Sequence, residues 1–392
     1  MKRLYFDYAA TTPLDDGVRK IMRPYLNRKK GLFGNASSLH REGQRAHGAL
    51  ERARFLVARS LTASQDDIFF TASATEANNL VIRGVLKKYF RDAEKCNTIP
   101  TIVISDVEHS SVRETVADLE RDGSARIVRL GVSADGVVDV DQFKSILDSN
   151  VILISIMWVN NETGALQPIR AIADVIKDFR KKSGSTYPFF HCDGAQAAVL
   201  FDPNVVGLGV DGLTLSSHKM YGPLGVGALF LNHQLHQHIA PLITGGGQEG
   251  GLRSGTVNVA GVVGFGKAFE KCFHIQKKEN KRLLSLSNYF IDRLLDAFPF
   301  AIVHSSLLRS PHIVNFFIPD IQDLAMRLDG AGLAVSSGSA CSGRRALRSQ
   351  TLVAMGCDEI EVKESVRFSF GRYTTQKEVD EALKRIIMTV RN

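Results

Sequence analysis

The chain has 392 residues, of which 44% are hydrophobic and 23% are charged, and it contains no low-complexity tract. This composition excludes a disordered chain, and the length predicts a sizeable core divided between two domains. The net charge of +8 comes with only short basic clusters, which indicates solvated surface charge rather than nucleic-acid binding.

The beginning of the chain and its cysteines bear on the compartment. The opening segment, MKRLYFDYAATTP, lacks the apolar region of a signal peptide, and no later segment has the long apolar run of a membrane helix. The odd number and irregular spacing of the cysteines indicate neither a disulfide framework nor a CxxC zinc site. They are Cys96, Cys192, Cys272, Cys341 and Cys357. We therefore expect a cytoplasmic protein with reduced thiols and no membrane partner.

Between about residues 65 and 230, short apolar runs alternate with longer amphipathic or polar stretches. The runs are DIFFTAS, TIVISDV, ARIVRL, VILISIMWV, FFHCDGA, DGLTLSS and VGALFL. Residues 168–182, PIRAIADVIKDFRKK, have a helical period between two of these runs. This alternation predicts an α/β fold with a largely parallel sheet and helices on its faces.

The pattern changes after a glycine-rich stretch at 244–258, TGGGQEGGLRSGTVN, which predicts a loop. From about residue 261, a long helical segment leads into the short apolar runs HIVNFFIP, LAVSS and SVRFSF. This part of the chain predicts a smaller α+β domain.

Four polar segments follow apolar runs, at the strand ends where α/β proteins build their sites: TASATEANN, VEHSSV, CDGAQ and SSHKMYGP. Lys219 lies in the last of them, between residues 216–218 and a Gly/Pro turn. Most lysines are solvated surface charges. Partial desolvation at a strand end would instead lower the pKa of the amine and favour a Schiff base.

Asp193 ends the run FFHCDG and has two interpretations. A carboxylate at this position is typical of a helix cap or a turn. It would also suit the ring nitrogen of pyridoxal 5'-phosphate (PLP), which a carboxylate keeps protonated so that the ring accepts electrons. His191 and Asp193 together also suggest a metal pair, but no third ligand lies near them in the sequence.

Thr75 and His109 are weaker candidates. In TASATEANN, Thr75 and the first backbone amides of the predicted helix would suit a phosphate group, although this pattern is common at helix starts. His109, in DVEHSSV, is either a buried structural histidine or a ring that stacks on a flat cofactor and moves protons.

Taken together, these motifs resemble the cysteine desulfurases of the NifS/IscS type, a branch of the class V aminotransferases. The similarity covers almost the whole chain and is carried, in order, by YFDYAATTP, TASATEANN, NNETG, HCDGAQ, SSHKMYGPLGVGAL, GGGQEGGLRSGT and SSGSAC. It implies a PLP-dependent homodimer of fold type I. It also implies a large PLP-binding domain at 15–260 and a small domain, made of 1–14 and 261–392, that carries the catalytic cysteine.

The resemblance further implies a role for each matching residue. Lys219 would hold PLP covalently, His109 would stack on its ring and act as acid and base, and Asp193 would pair with the pyridine nitrogen. The remaining matches are Asn161 and Gln196 near the phenolic oxygen; Ala74, Thr75, Ser216 and His218 at the phosphate, with Thr256 from the partner subunit; Asn35 and Arg367 at the substrate carboxylate; and Cys341 as the nucleophile.

Cys341 lies among small residues in SSGSACSG, which would give the backbone freedom to move a thiol between PLP and an acceptor. The family reaction takes L-cysteine to L-alanine and leaves a persulfide on this residue. The acceptor would be a protein such as an iron–sulfur scaffold, and tRNA thiolation is another outlet. After Cys341 come Arg344, Arg345 and Arg348, in a stretch where many relatives have uncharged or acidic residues. We hypothesise that their charge favours the Cys341 thiolate and attracts acidic acceptors.

Three other functions stay open on the sequence alone. A selenocysteine lyase, or another PLP-dependent lyase or aminotransferase, would share Lys219 without needing Cys341 in the same way. A catalytically silent sulfur-carrier scaffold would bind no PLP. A nucleic-acid-binding protein that exploits the net charge would show a salt-sensitive affinity for RNA.

Overall fold

The computed structural model of the chain describes residues 2–28, 32–92, 98–306, 308–337 and 348–391. Within these ranges, the strands are β1 (Leu4–Tyr5), β2 (Ile68–Thr71), β3 (Thr101–Ser105), β4 (Arg126–Leu130), β5 (Val151–Met157), β6 (Phe189–Asp193), β7 (Gly212–Ser216), β8 (Gly227–Leu231), β9 (Ile302–Val303), β10 (Ile313–Phe317), β11 (Leu333–Ala334), β12 (Ser336–Ser337) and β13 (Val366–Ser369).

The helices of the same ranges are α1 (Asp16–Met22), α2 (Arg41–Leu61), α3 (Ala74–Asp92), α4 (Ser110–Arg121), α5 (Val140–Ser145), α6 (Ile169–Ser183), α7 (Val205–Leu208), α8 (His233–Gln237), α9 (Val259–Ala297), α10 (Leu324–Gly330), α11 (Gln350–Ala354), α12 (Glu359–Glu364) and α13 (Gln376–Arg391). A short 3₁₀ helix, Ser217–Lys219, follows β7 directly. None of the described helices combines the length and the apolar character needed to span a bilayer.

The largest sheet has the strand order β2-β8-β7-β6-β5-β3-β4. Strands β7, β6, β5, β3 and β4 run parallel to one another, whereas β8 is antiparallel to both β7 and β2. The apolar runs read from the sequence supply all seven strands. Six of them are fully buried, and the edge strand β4 is partly exposed. The predicted α/β fold with a mainly parallel sheet is therefore confirmed.

Helices cover both faces of this sheet. On one face α3 and α4 pack through aliphatic residues such as Leu80 and Val116. On the other face, α2, α6 and the first part of α9 form a second core. Helix α6 shows why: Ile169, Ile172 and Ile176 fall on one side of the helix at spacings of three and four and are buried. Arg170 and Lys177 of the same helix are exposed.

A smaller antiparallel sheet, β12-β13-β10-β9, lies against a third core that includes the second half of α9, with Phe290 and Leu294, and helix α13. The N-terminal strand β1 pairs with β11, with Leu4 opposite Leu333. Both chain ends thus contribute to this part of the fold. Helix α9 runs without interruption through the boundary we drew after residue 260, and the division into 15–260 and 1–14 plus 261–392 stays a prediction.

Candidate active site

Four parallel strands bring the predicted polar residues to one edge of the large sheet. Because β3, β5, β6 and β7 run in the same direction, their carboxyl ends share that edge. His109 follows β3, Asn161 follows β5, Asp193 ends β6 and Lys219 ends the 3₁₀ turn after β7. The edge is the structural basis for treating these residues as one site.

The side chain of Lys219 is half-buried, and its Nζ donates to two backbone carbonyls of the N-terminal segment. One acceptor is Ala9 O and the other is Ala10 O, at 2.7 Å from Nζ. The turn that presents the lysine is tight, since Tyr221 takes a left-handed φ of 62°. A cavity of about 20 Å³, enough for one water molecule, adjoins Lys219 and Gln196.

Residues 7–12 of that N-terminal segment line the site along much of its length. Gln196 Nε2 donates to Ala9 O at 2.9 Å, and His218 Nδ1 lies 3.1 Å from Thr11 Oγ1. Our sequence analysis gave this segment no role beyond its place in the resemblance. Its letters, DYAATT, contain no pattern that predicts contacts with residues about 200 positions further along the chain.

Asp193 and His109 are joined through two buried side chains. Asn78 Nδ2 donates to Asp193 Oδ2 and to Ser111 Oγ, both at 2.8 Å. The backbone N–H of Ser111 donates to His109 Nδ1 at 3.1 Å, so Nδ1 is an acceptor and the neutral ring carries its proton on Nε2. The chain of contacts fixes the orientation of the imidazole relative to the carboxylate.

Arg367, on β13, is buried and has three partners. Its side chain donates to Asn161 O and to Asp7 Oδ1 at 2.8 Å each, and to Ser336 Oγ at 3.0 Å. Its Nε has no hydrogen-bond partner among the described residues. A guanidinium that keeps an open N–H is suited to an incoming carboxylate.

The residues predicted for the phosphate lie where α3 meets the sheet. Ser216 pairs with Gly227 of β8, and a Cβ at Gly227 would come within 2.6 Å of the Ser73 carbonyl carbon. Glycine therefore allows the residue before α3, which leads into Ala74 and Thr75, to approach β8 closely beside Ser216. His218 lies one turn beyond Ser216, and burial together with the neighbouring Lys219 lowers its pKa to about 4.

Asn35 and Thr256 are both exposed, and the described contacts do not join either to Lys219 or Arg367. Asn35 Oδ1 accepts from the backbone N–H of Ser37 at 3.0 Å. The residues next to them, Ala36 and Val257, line a second cavity of about 450 Å³ that shares no lining residue with the cavity at Lys219. Their predicted functions stay predictions.

Two buried titratable residues at the site escaped the sequence analysis. Burial raises the pKa of Glu108 to about 8, although Glu108 Oε1 accepts from Met157 N at 2.8 Å and from Ser105 Oγ at 2.5 Å. Burial, with the nearby Lys219, lowers the pKa of His312 to about 3. His312 Nε2 lies 3.3 Å from Gln196 Oε1, to which it donates.

His191 has the structural interpretation rather than the metal one. It is fully buried in β6, with Nδ1 2.9 Å from Ser155 Oγ and Nε2 2.9 Å from Thr214 Oγ1. Burial lowers its pKa to about 4, so the ring is neutral at physiological pH. In the parts of the chain that the structure describes, no three His, Cys, Asp or Glu residues form a group suited to a metal ion.

Cys341, Arg344, Arg345 and Cys96 lie outside the described residues. Arg348 forms an ion pair with Glu359 at 2.8 Å on the surface. The other cysteines are poor nucleophiles, because burial raises the pKa of Cys192 and brings the pKa of Cys272 and Cys357 to about 11.

The residues at this edge fit PLP by their chemistry. A lysine amine, a carboxylate at the end of the adjacent strand and a helix start match the carbonyl, the pyridine nitrogen and the phosphate of that cofactor. The Asp193 carboxylate accepts from Asn78 Nδ2 and from the backbone N–H of Ala195. It retains acceptor capacity for a further N–H.

Comparisons with known proteins agree with this geometry. The family model described as Aminotransferase class-V matches residues 4–382. Cysteine desulfurase IscS of Dictyoglomus turgidum is 38% identical and aligns over 100% of this chain and 96% of its own length. The mitosomal cysteine desulfurase of Trachipleistophora hominis is 35% identical, over 99% and 86%.

Solved structures give the same picture. A NifS-like protein superposes with a TM-score of 0.89 at 33% identity and covers 99% of both chains. A structure titled SspA in complex with cysteine superposes with a TM-score of 0.80 at 30% identity, over 95% of this chain and 99% of that one.

Proposed function

Because this chain belongs to the class V aminotransferases and, within them, to the cysteine desulfurases of the NifS/IscS type, we propose that it uses PLP to remove sulfur from L-cysteine. The products would be L-alanine and a persulfide on Cys341. The observation that carries the proposal is the common sheet edge that holds Lys219, Asp193 and His109. Arg367 adjoins the same edge, because its guanidinium donates to Asn161 O.

Bound PLP would supply a protonated ring that accepts the electrons left when the α-proton of the amino acid is removed. Lys219 would hold the cofactor covalently, and the Asp193 carboxylate would keep its pyridine nitrogen protonated. His109, whose Nδ1 is occupied by Ser111, would cover the ring and exchange protons through Nε2. The remaining contacts would come from Asn161 and Gln196 at the phenolic oxygen, from Ala74, Thr75, Ser216 and His218 at the phosphate, and from Thr256 of the partner subunit in a homodimer.

Arg367 would bind the carboxylate of L-cysteine, with Asn35 as a second donor. The Arg367 side chain is 3% exposed and ion-paired, so a ligand carboxylate that binds one of its remaining N–H donors would form a charge-assisted hydrogen bond shielded from water. This contact selects α-amino acids over amines of the same side chain.

The sulfur step would use the thiolate of Cys341. It attacks the substrate sulfur, an S–S bond forms and the C–S bond breaks, and its electron pair stays on the substrate carbon. That carbon takes up a proton to give alanine. The persulfide then passes to an acceptor protein, such as an iron–sulfur scaffold in the cytoplasm, or is reduced to sulfide by an added thiol.

Replacing Cys341 with serine tests this function. In the presence of a reductant, the wild type is expected to form alanine and sulfide in equal amounts. Cys341→Ser is expected to lower both rates by about 100-fold or more, because a hydroxyl cannot accept the sulfur. Alanine is measured by chromatography and sulfide by a colorimetric assay.

Cys357→Ser is the matched control, since this cysteine lies nearby in sequence but its thiol has a raised pKa and is not predicted to react. It should keep wild-type rates. If Cys341→Ser retains activity, sulfur leaves by direct elimination, and the chain is another PLP-dependent lyase or a selenocysteine lyase. Absence of both products from the wild type would favour a sulfur-carrier scaffold.

The arginines after Cys341 are expected to favour its thiolate. Changing Arg344, Arg345 and Arg348 together to glutamine should raise the pKa of the Cys341 thiol or weaken sulfur transfer to an acidic acceptor. The pH dependence of Cys341 alkylation measures the pKa. Unchanged values for both the pKa and the transfer would contradict the hypothesis.

A further inference from the structure

The buried guanidinium of Arg367 already shares its charge with a carboxylate of the same chain. Asp7 Oδ1 accepts from an Arg367 terminal nitrogen at 2.8 Å, and the two side chains are 20% and 3% exposed. From the sequence, Arg367 is expected to bind a ligand carboxylate, and Asp7 has no expected function. The ion pair therefore needs an explanation at the point where an anion is expected to bind.

The pair is held by a hydroxyl and by backbone pairing. Ser336 Oγ donates to Asp7 Oδ1 at 2.8 Å and accepts from Arg367 at 3.0 Å, so the three side chains contact one another. Asp7 itself forms a β-bridge with Ser369, two residues after Arg367. The carboxylate is thus fixed on one side of the guanidinium.

These contacts use three of the five N–H donors of Arg367. One terminal nitrogen donates to Asn161 O and the other to Asp7 and Ser336, whereas the buried Nε has no partner among the described residues. A guanidinium turned away from Asp7 would lose these bonds, so its open N–H has a fixed direction.

The charge of Asp7 has a second consequence. A ligand carboxylate bound to Arg367 would lie near a second carboxylate, and the two would repel each other in a site of low effective dielectric. Asp7 therefore weakens the binding of every carboxylate ligand, including the product amino acid, while it stabilises the buried arginine in the absence of ligand.

We propose that Asp7 is a positioning residue that directs Arg367 towards the amino-acid carboxylate and limits how tightly that carboxylate is held. The inference rests on the proposed function, in which Arg367 binds the substrate. If the charge at Asp7 is removed and the hydrogen bonds are retained, carboxylate ligands should bind more tightly, and ligands without a carboxylate should not.

Asp7→Asn makes this change, because the amide oxygen can still accept from Arg367 and Ser336. The PLP-loaded variant would be titrated with L-alanine and with L-alaninamide, which lacks the carboxylate, and binding followed by the visible absorbance of the cofactor. Asp7→Asn is expected to lower the Kd of L-alanine about tenfold and to leave that of L-alaninamide unchanged. The kcat for L-cysteine should fall as product release slows.

Asp16→Asn is the matched control, since Asp16 is also acidic and near the N-terminus but is 82% exposed and paired with Arg19. It should bind both ligands as the wild type does. If Asp7→Asn does not fold, Asp7→Ser removes the same charge and is expected to shift the Kd in the same direction. An unchanged or higher Kd for L-alanine in a folded, PLP-loaded variant overturns the proposal.

Arg367→Gln, which removes the positive charge, separates the two levels of inference. If it binds L-alanine as the wild type does, Arg367 is not the carboxylate site, and the substrate assignment fails. If it loses L-alanine but keeps L-alaninamide, while Asp7→Asn changes neither affinity, the assignment of Arg367 stands and the role of Asp7 alone is wrong.

Discussion

Lys219→Ala is expected to abolish the yellow colour of the purified protein and to lower the rate of alanine formation from L-cysteine by about 1,000-fold or more. Among the described residues at the sheet edge, Lys219 is the candidate whose amine would form a Schiff base with PLP. The same amine would then move the α-proton of the substrate. Loss of both functions makes this the largest effect we expect from a single substitution. Absorbance spectra and an alanine assay measure it.

The control for this variant is another lysine that donates to a backbone carbonyl. Lys87 Nζ donates to Pro241 O at 2.9 Å. Lys87 is not among the residues predicted to contact PLP. Lys87→Ala should keep both the colour and the rate. A Lys219→Ala protein that retains covalently bound PLP would show that a different lysine holds the cofactor.

The sequence predicts the sheet edge well because the relevant information is local. Each apolar run forms a strand, and the polar residue at its end marks the carboxyl edge. Asp193 after FFHC and His109 after TIVISDV are examples. Parallel pairing then brings such ends together without further information.

The contacts of the N-terminal segment join residues that are distant in the sequence, so the local sequence pattern does not predict them. Lys219 Nζ reaches the carbonyls of Ala9 and Ala10 across about 210 positions, and Arg367 meets Asp7 across 360 positions. Neither alanine has a side chain that marks it as an acceptor. The pairing of β1 with β11 and the β-bridge between Asp7 and Ser369 bring the start of the chain to this part of the fold.

The burial of a single polar residue is also not predicted by the hydrophobic periodicity of the sequence. Glu108 directly precedes His109 in the sequence, and a glutamate at such a position is expected to be an ordinary surface residue. In the structure it is 2% exposed, below the edge that carries Asp193. The protonation state of Glu108 can be predicted only once that burial is known.

Glu108→Gln is expected to make the protein more stable than the wild type at alkaline pH but not at acidic pH. In the folded protein, burial and the nearby Asp193 raise the pKa of Glu108 from 4.5 to about 8. The folded state therefore prefers the protonated carboxyl. The stabilisation is complete below about pH 4.5 and is lost as the pH rises through 8. Glutamine is neutral throughout, and its carbonyl can still accept from Met157 N and Ser105 Oγ.

Chemical unfolding of the wild type and of Glu108→Gln between pH 6 and pH 9 measures this effect. Between these two pH values, the difference in the free energy of unfolding should grow by about 3 kcal/mol in favour of the variant. Other titrating groups, such as His218 and His312, are common to both proteins, so they cancel in the difference. Glu114, which is exposed on α4, provides the control substitution Glu114→Gln.

A difference that is constant across this range would mean that Glu108 is ionised in the folded protein and is paired with a group outside the described contacts. A difference that grows as expected has a consequence for the cofactor site. The Asp193 charge contributes to the raised pKa of Glu108. A cation bound at Asp193, such as a protonated pyridine nitrogen, should therefore lower that pKa and shift the stability difference to lower pH in the PLP-loaded protein.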